Sequence, residues 1–142
     1  MCSRLTIFLV SLLIIIETSA ETLETQNGIT IHYSIVPTLM LSNKVANQYQ
    51  FVRAKDRSIL NIAIKDRNGS SVQASVEGQK ENLLGQQEEL SFSELSEGSA
   101  IYYVAAIKHG KEELLRFSTE IQLPANKAET LRFTKKLYWG EE

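Results

Sequence analysis

The stretch EGSAIYYVAAIKHGKEELLRFSTEIQLP, Glu97 to Pro124, decides the fold. Ile101, Tyr103, Ala105 and Ile107 alternate with Tyr102, Val104 and Ala106. Beyond Lys111, Leu115, Phe117, Ile121 and Leu123 face one way, with Leu114, Arg116, Ser118 and Glu120 opposite. Period-two alternation marks strands, since successive side chains point to opposite faces. The first run is apolar on both faces, which marks a central strand whose outer side is covered by something. His109-Gly110 reads as the short loop of a hairpin joining the two strands.

The same period recurs along the chain. Ile29, Ile31, Tyr33 and Ile35 form one line, Leu60, Ile62 and Ile64 another, and Val72, Ala74 and Val76 a third. Leu90 and Phe92 mark one short strand, and Leu131, Phe133, Leu137 and Trp139 the last apolar line. Lys135 interrupts that line and suggests a bulge or an exposed strand end. Turn signals fall at Asp66-Arg67-Asn68-Gly69, Glu77-Gly78, Glu97-Gly98, His109-Gly110 and Pro124-Ala125-Asn126. About seven strands at this spacing predict an all-β, immunoglobulin-like antiparallel sandwich. The one helical signal is LSNKVANQYQ, Leu41 to Gln50, where Ser42 or Asn43 could cap a short helix with Val45 and Tyr49 on one face. Residues 21–27, ETLETQN, read as a loose polar lead-in.

The N-terminus bounds the compartment. Arg4, the apolar run Leu5 to Ile16 and the small-residue site Thr18-Ser19-Ala20 have the order of a cleaved signal peptide. A membrane-spanning helix would need roughly 20 apolar residues. Residues 1–20 are therefore expected to be a leader, and 21–142 a single exported β-sandwich domain in the periplasm. Cys2 is the only cysteine of the 142 residues and leaves with the leader. A net charge of −2 with dispersed basic residues gives no footprint for nucleic acid.

Catalytic and metal chemistry find little purchase. His32, His109 and Met40 are the only soft or borderline ligands after the leader, too few for a blue-copper set, so no metal or other cofactor is expected. There is no Gly-x-Ser-x-Gly elbow, and both histidines read as surface residues, His32 on a polar strand face and His109 at a hairpin tip. Adjacent carboxylates such as Glu88-Glu89 and Glu112-Glu113 point to opposite faces of a strand and read as solvated. Arg53 is either part of a polar loop or an ordered residue paired with a carboxylate.

Several short motifs, in order, resemble a known family. Val45-Ala46, Tyr49, Arg53 and Leu60-Asn61-Ile62 look like its first half. Asn82-Leu83-Leu84-Gly85, Leu90-x-Phe92-x-Glu94, Glu97-Gly98 and Ala100-Ile101-Tyr102-Tyr103 resemble its second half, and Glu113-x-Leu115-Arg116-Phe117 and Leu131-x-Phe133 continue the pattern. The family is domain-of-unknown-function family 4426. The resemblance implies a small exported protein of Gram-negative bacteria, with no assigned activity and no catalytic residue to carry over. The expected function is a non-enzymatic periplasmic binding or accessory module, its partner another envelope protein. It would act through the sheet face at Tyr102 or the loop from Asn82 to Gln86, with Arg53, Asn82 and Tyr102 as candidate binding residues. The alternative is a small enzyme whose Arg53, Asn61, Asn82 and Glu94 converge in three dimensions.

Overall fold

The computed structural model describes residues 21–25 and 27–140, so the expected leader lies outside the described residues. Among the described residues nine strands form two antiparallel sheets, two strands more than the sequence spacing suggests. The first sheet holds β1 (Glu21–Glu24), β2 (Thr30–Pro37), β3 (Arg57–Lys65), β7 (Ala100–Lys108) and β6 (Phe92–Glu97), in that order. The second holds β5 (Gln87–Leu90), β4 (Ser75–Glu81), β8 (Glu112–Leu123) and β9 (Lys127–Tyr138). A 3₁₀ turn at Thr38–Met40 and a short helix α1 (Asn43–Gln48) lie between β2 and β3. This is a β-sandwich of immunoglobulin-like general architecture.

The inward lines fall where alternation puts them. Ile31 on β2, Leu60, Ile62 and Ile64 on β3, Tyr103, Ala105 and Ile107 on β7, and Leu115, Phe117 and Ile121 on β8 form one core with Leu131 and Leu137 of β9. Phe133 is only half-buried rather than fully enclosed. Its ring stacks on Phe117 with centroids 4.8 Å apart and meets Tyr33 at a tilt, 4.6 Å away.

Five expectations need correction. The two new strands come from the polar lead-in and from the Leu90–Phe92 segment. Glu21–Glu24 is no loose lead-in but pairs with β2, Glu21 opposite Tyr33, and the Tyr33 hydroxyl donates to Glu21 Oε2 at 2.8 Å. Leu90 and Phe92 belong to different strands in different sheets, the chain crossing the sandwich at Ser91. β7 and β8 likewise pair in different sheets, so His109-Gly110 is a crossover and not a hairpin turn. Lys135 makes no bulge: β9 stays in register with β8 through Lys135 opposite Leu115, and the ammonium reaches Glu21 Oε1 at 3.9 Å. Glu77-Gly78 lies inside β4, with the turn displaced to Asn82–Gly85. A Cβ at Gly78 would stand 2.9 Å from the Ser118 carbonyl and 3.0 Å from Thr119 Oγ1, so close approach of β8 calls for glycine there.

Candidate functional site: an apolar groove under the short helix

β3 carries buried residues on both faces, because α1 and its flanks fold back over the outside of the five-stranded sheet. Ser42 starts α1, its hydroxyl accepting from Val45 N at 3.1 Å, as an N-cap requires. The helix ends within two turns at Tyr49-Gln50, where Gln50 takes a φ of 60°. Buried Thr38 then ties the returning chain: its hydroxyl donates to the Ala54 carbonyl at 3.0 Å and accepts from Ala54 N at 3.1 Å. Arg53 holds the other side, donating to Asn43 Oδ1 at 2.6 Å and to the Leu39 carbonyl at 3.1 Å. Arg53 is thus ordered, but its partners are an amide and a carbonyl rather than a carboxylate.

Between this strap and the sheet runs a groove of about 210 Å³. Val45, Tyr49 and Phe51 form its upper wall, and Val36, Ile59, Val104, Leu95 and Tyr102 its floor. Tyr102 is half-buried beneath the helix segment, on the face opposite its neighbour Tyr103. The polar groups are few. Glu97 accepts from the Tyr49 hydroxyl at 3.0 Å, and that hydrogen bond raises the Tyr49 pKa above its ordinary value. Asn61 lines the floor, and its Oδ1 is buried with no hydrogen-bond partner among the described residues. A buried unpaired amide oxygen costs about 1–3 kcal/mol. An amide can turn by half and present either an acceptor or a donor.

The other sequence-predicted residues lie elsewhere. Asn82 stands at the β4–β5 turn in the opposite sheet, its Oδ1 accepting from Leu84 N and Gln86 N at 3.0 Å each. Glu94, on β6, accepts from the Tyr103 hydroxyl at 3.0 Å. Of Arg53, Asn61, Asn82 and Glu94, only Asn61 lines the groove, and no two of them line any one of the five principal cavities among the described residues.

Sequence reading missed one polar constellation. His109 is 5% exposed rather than at a solvated tip, and its Nε2 lies 2.9 Å from the hydroxyl of Ser58, itself 2% exposed. Nδ1 faces the Gly110 carbonyl at 2.9 Å. A carbonyl only accepts, so Nδ1 carries the proton and a neutral ring takes the Ser58 proton at Nε2. The pair has the spacing of a nucleophile and its base. No described cavity reaches it and no carboxylate orients the ring, so its work is to pin the β7–β8 crossover to β3. No sequence signal distinguishes such a histidine from a solvated one, because its partner is 51 positions away.

Among the described residues, no group of three or more His, Cys, Asp or Glu is placed to hold a metal ion, and no helix is long and apolar enough to cross a membrane. A DUF4426 family protein from Pseudomonas aeruginosa PAO1 superposes with a TM-score of 0.77 at 26% identity, covering 86% of this chain and 97% of that one. FetP from uropathogenic Escherichia coli strain F11, recombinantly expressed in the periplasm, superposes at 0.63 with 14% identity over 85% of this chain and 95% of its own. A copper-bound FetP variant from the same strain gives 0.57 and 12%, over 87% and 92% of the two chains. At these identities the FetP likeness is one of fold. The chain has no significant match among curated proteins. Its residues 23–140 match the family described as Domain of unknown function (DUF4426), and the chain belongs to that family.

Proposed function

We propose that the protein is a non-enzymatic binding module of the periplasm that takes an apolar group into the groove beneath α1. The observation that carries this reading is Asn61: an amide with a buried, unpartnered oxygen in the floor of a mostly apolar groove. Binding sites of this type are apolar surfaces with a few placed polar groups that fix orientation. The volume of about 210 Å³ lies below the roughly 300–1,000 Å³ that encloses a whole drug-sized molecule. The occupant is therefore a small apolar moiety, such as one or two side chains of an envelope protein. Arg53 acts by holding the strap and Tyr102 by forming the floor, whereas Asn82 faces a different surface. Copper is not carried across from FetP, because at 14% and 12% identity the likeness is one of fold alone. Export rests on the leader motif of Arg4, the apolar run and Thr18-Ser19-Ala20.

The test is a calorimetric titration with indole, an apolar ring with one N–H donor. Indole should bind the wild type. Val45→Glu should abolish binding, Asn61→Leu should weaken it several-fold, and Gln79→Glu on the opposite sheet should leave it unchanged. Binding that survives Val45→Glu would place the site elsewhere.

A further inference from the structure

The β4–β5 hairpin ends in an exposed apolar tip. Leu83 and Leu84 are 68% and 83% exposed, the two most exposed large apolar side chains described. The loop beneath them is rigid. Asn82 Oδ1 holds Leu84 N and Gln86 N, Asn82 Nδ2 donates to Gln86 Oε1 at 2.7 Å, and Gly85 turns the chain with a φ of 77°. Asn82 and Gly85 build that turn, and nothing in it requires leucine at the two positions between them. A rigid tip that displays two leucines is suited to insertion into an apolar cavity, because little conformational freedom remains to be lost.

We infer that the Leu83–Leu84 tip of one copy seats in the α1 groove of a second copy. The proposal rests on the groove reading above and names the occupant. The groove, about 210 Å³ and open to solvent, is of the size for apolar side chains rather than for a whole drug-sized molecule. Charge favours the same pairing. The strap from Leu41 to Arg57 carries Lys44, Arg53, Lys55 and Arg57 against Asp56, four positive minus one negative, or +3, and Glu97 in the groove lining reduces this to +2. The tip from Glu81 to Glu89 carries Glu81, Glu88 and Glu89 with no cation, or −3. Glu81 and Glu88 are partly offset by Arg116 at 3.6 Å and Lys80 at 3.3 Å. Arg53 spends its hydrogen bonds on neutral partners and keeps its full charge. This acidic collar also disfavours docking of the tip on an anionic bilayer.

Tip and groove belong to different sheets, so the contact is heterologous and extends into a ring or an open chain. It is smaller than a standard interface and therefore weak, with association expected in the range of roughly 10 µM to 1 mM.

Sedimentation velocity of the full protein over that range tests it. The wild type should show a rising weight-average sedimentation coefficient. The double variant L83S/L84S and the single variant V45E, both at exposed positions that should leave the fold intact by circular dichroism, should each remain monomeric. An equimolar mixture of the two variants should form a dimer and nothing larger, because one supplies the tip and the other the groove. A wild type that stays monomeric to about 1 mM, or a mixture that stays monomeric, would overturn the proposal. If indole still binds in a Val45-dependent way, the groove reading stands and self-docking alone falls. Leucine-dependent binding of a monomeric wild type to phosphatidylcholine vesicles would assign the tip to lipid instead.

Discussion

Tyr102 and Tyr103 are adjacent in the chain and do different jobs, because alternation sends them to opposite faces of β7. Tyr103 points into the core, 4% exposed, and its hydroxyl donates to Glu94 while accepting from Ala74 N at 2.8 Å. Tyr103→Phe should therefore lower stability by about 1.5–3 kcal/mol, the net worth of a hydrogen bond to a charged group, while leaving indole binding unchanged. Denaturant unfolding with a parallel titration checks both halves. Tyr33 carries the pH signature. Burial, then its hydrogen bond to Glu21 and that carboxylate's charge, push its pKa from 10.0 to about 12. A raised pKa means that the neutral phenol is favoured in the folded state. Its stabilisation is complete below pH 10 and is lost as pH rises from 10 to about 12. An alkaline titration of tyrosinate absorbance should show several late hydroxyls, because Tyr49 and Tyr103 are raised as well, and Tyr33→Phe should remove one of them. The inward identity of Tyr103 was legible from alternation. The roles of His109 and Asn61 were not, since both depend on partners or covers brought by distant parts of the chain.

Strands were easier to find than the joints between them. β2, β3, β7 and β8 carry long apolar lines, so burial alone identifies them, and Ser42 announced α1 through its cap. The errors fell where one residue serves two geometries. Gly78 reads as a turn because glycine punctuates strands, yet here it admits the Ser118 carbonyl and the Thr119 hydroxyl. Gly78→Ala should cost about 1–3 kcal/mol from overpacking between β4 and β8, a loss measurable by thermal unfolding. An unchanged midpoint would mean that β8 can move away freely. Ser91 and His109-Gly110 were equally opaque. Alternation reports which face a residue takes, not which sheet the next strand joins. β1 was missed because Glu21–Glu24 has a single apolar residue, Leu23, too little to draw an apolar line, and is held by edge pairing to β2, with Lys135 and Tyr33 meeting Glu21.

The whole molecule is a sandwich with one solvated outer face and one partly roofed. The four-stranded sheet presents Glu77, Gln79, Glu81, Arg116 and Glu120 outward, whereas the five-stranded sheet presents Val36, Ile59, Val104 and Leu95. The sequence pointed to cover over Tyr102 because β7 is apolar on both sides. It could not show that the cover leaves a groove. Export makes its own prediction. Mass spectrometry of the periplasmic fraction should find Glu21 at the N-terminus, the first residue of β1, while a full-length membrane-bound product would refute the leader. The most direct test of the binding claim is a map of backbone amide shifts in isotopically labelled protein at saturating indole. The largest changes should cluster at Val45, Asn61, Leu95 and Tyr102. Changes centred instead on Gln79, Ser118 and Arg132 would place binding on the opposite sheet and contradict the account.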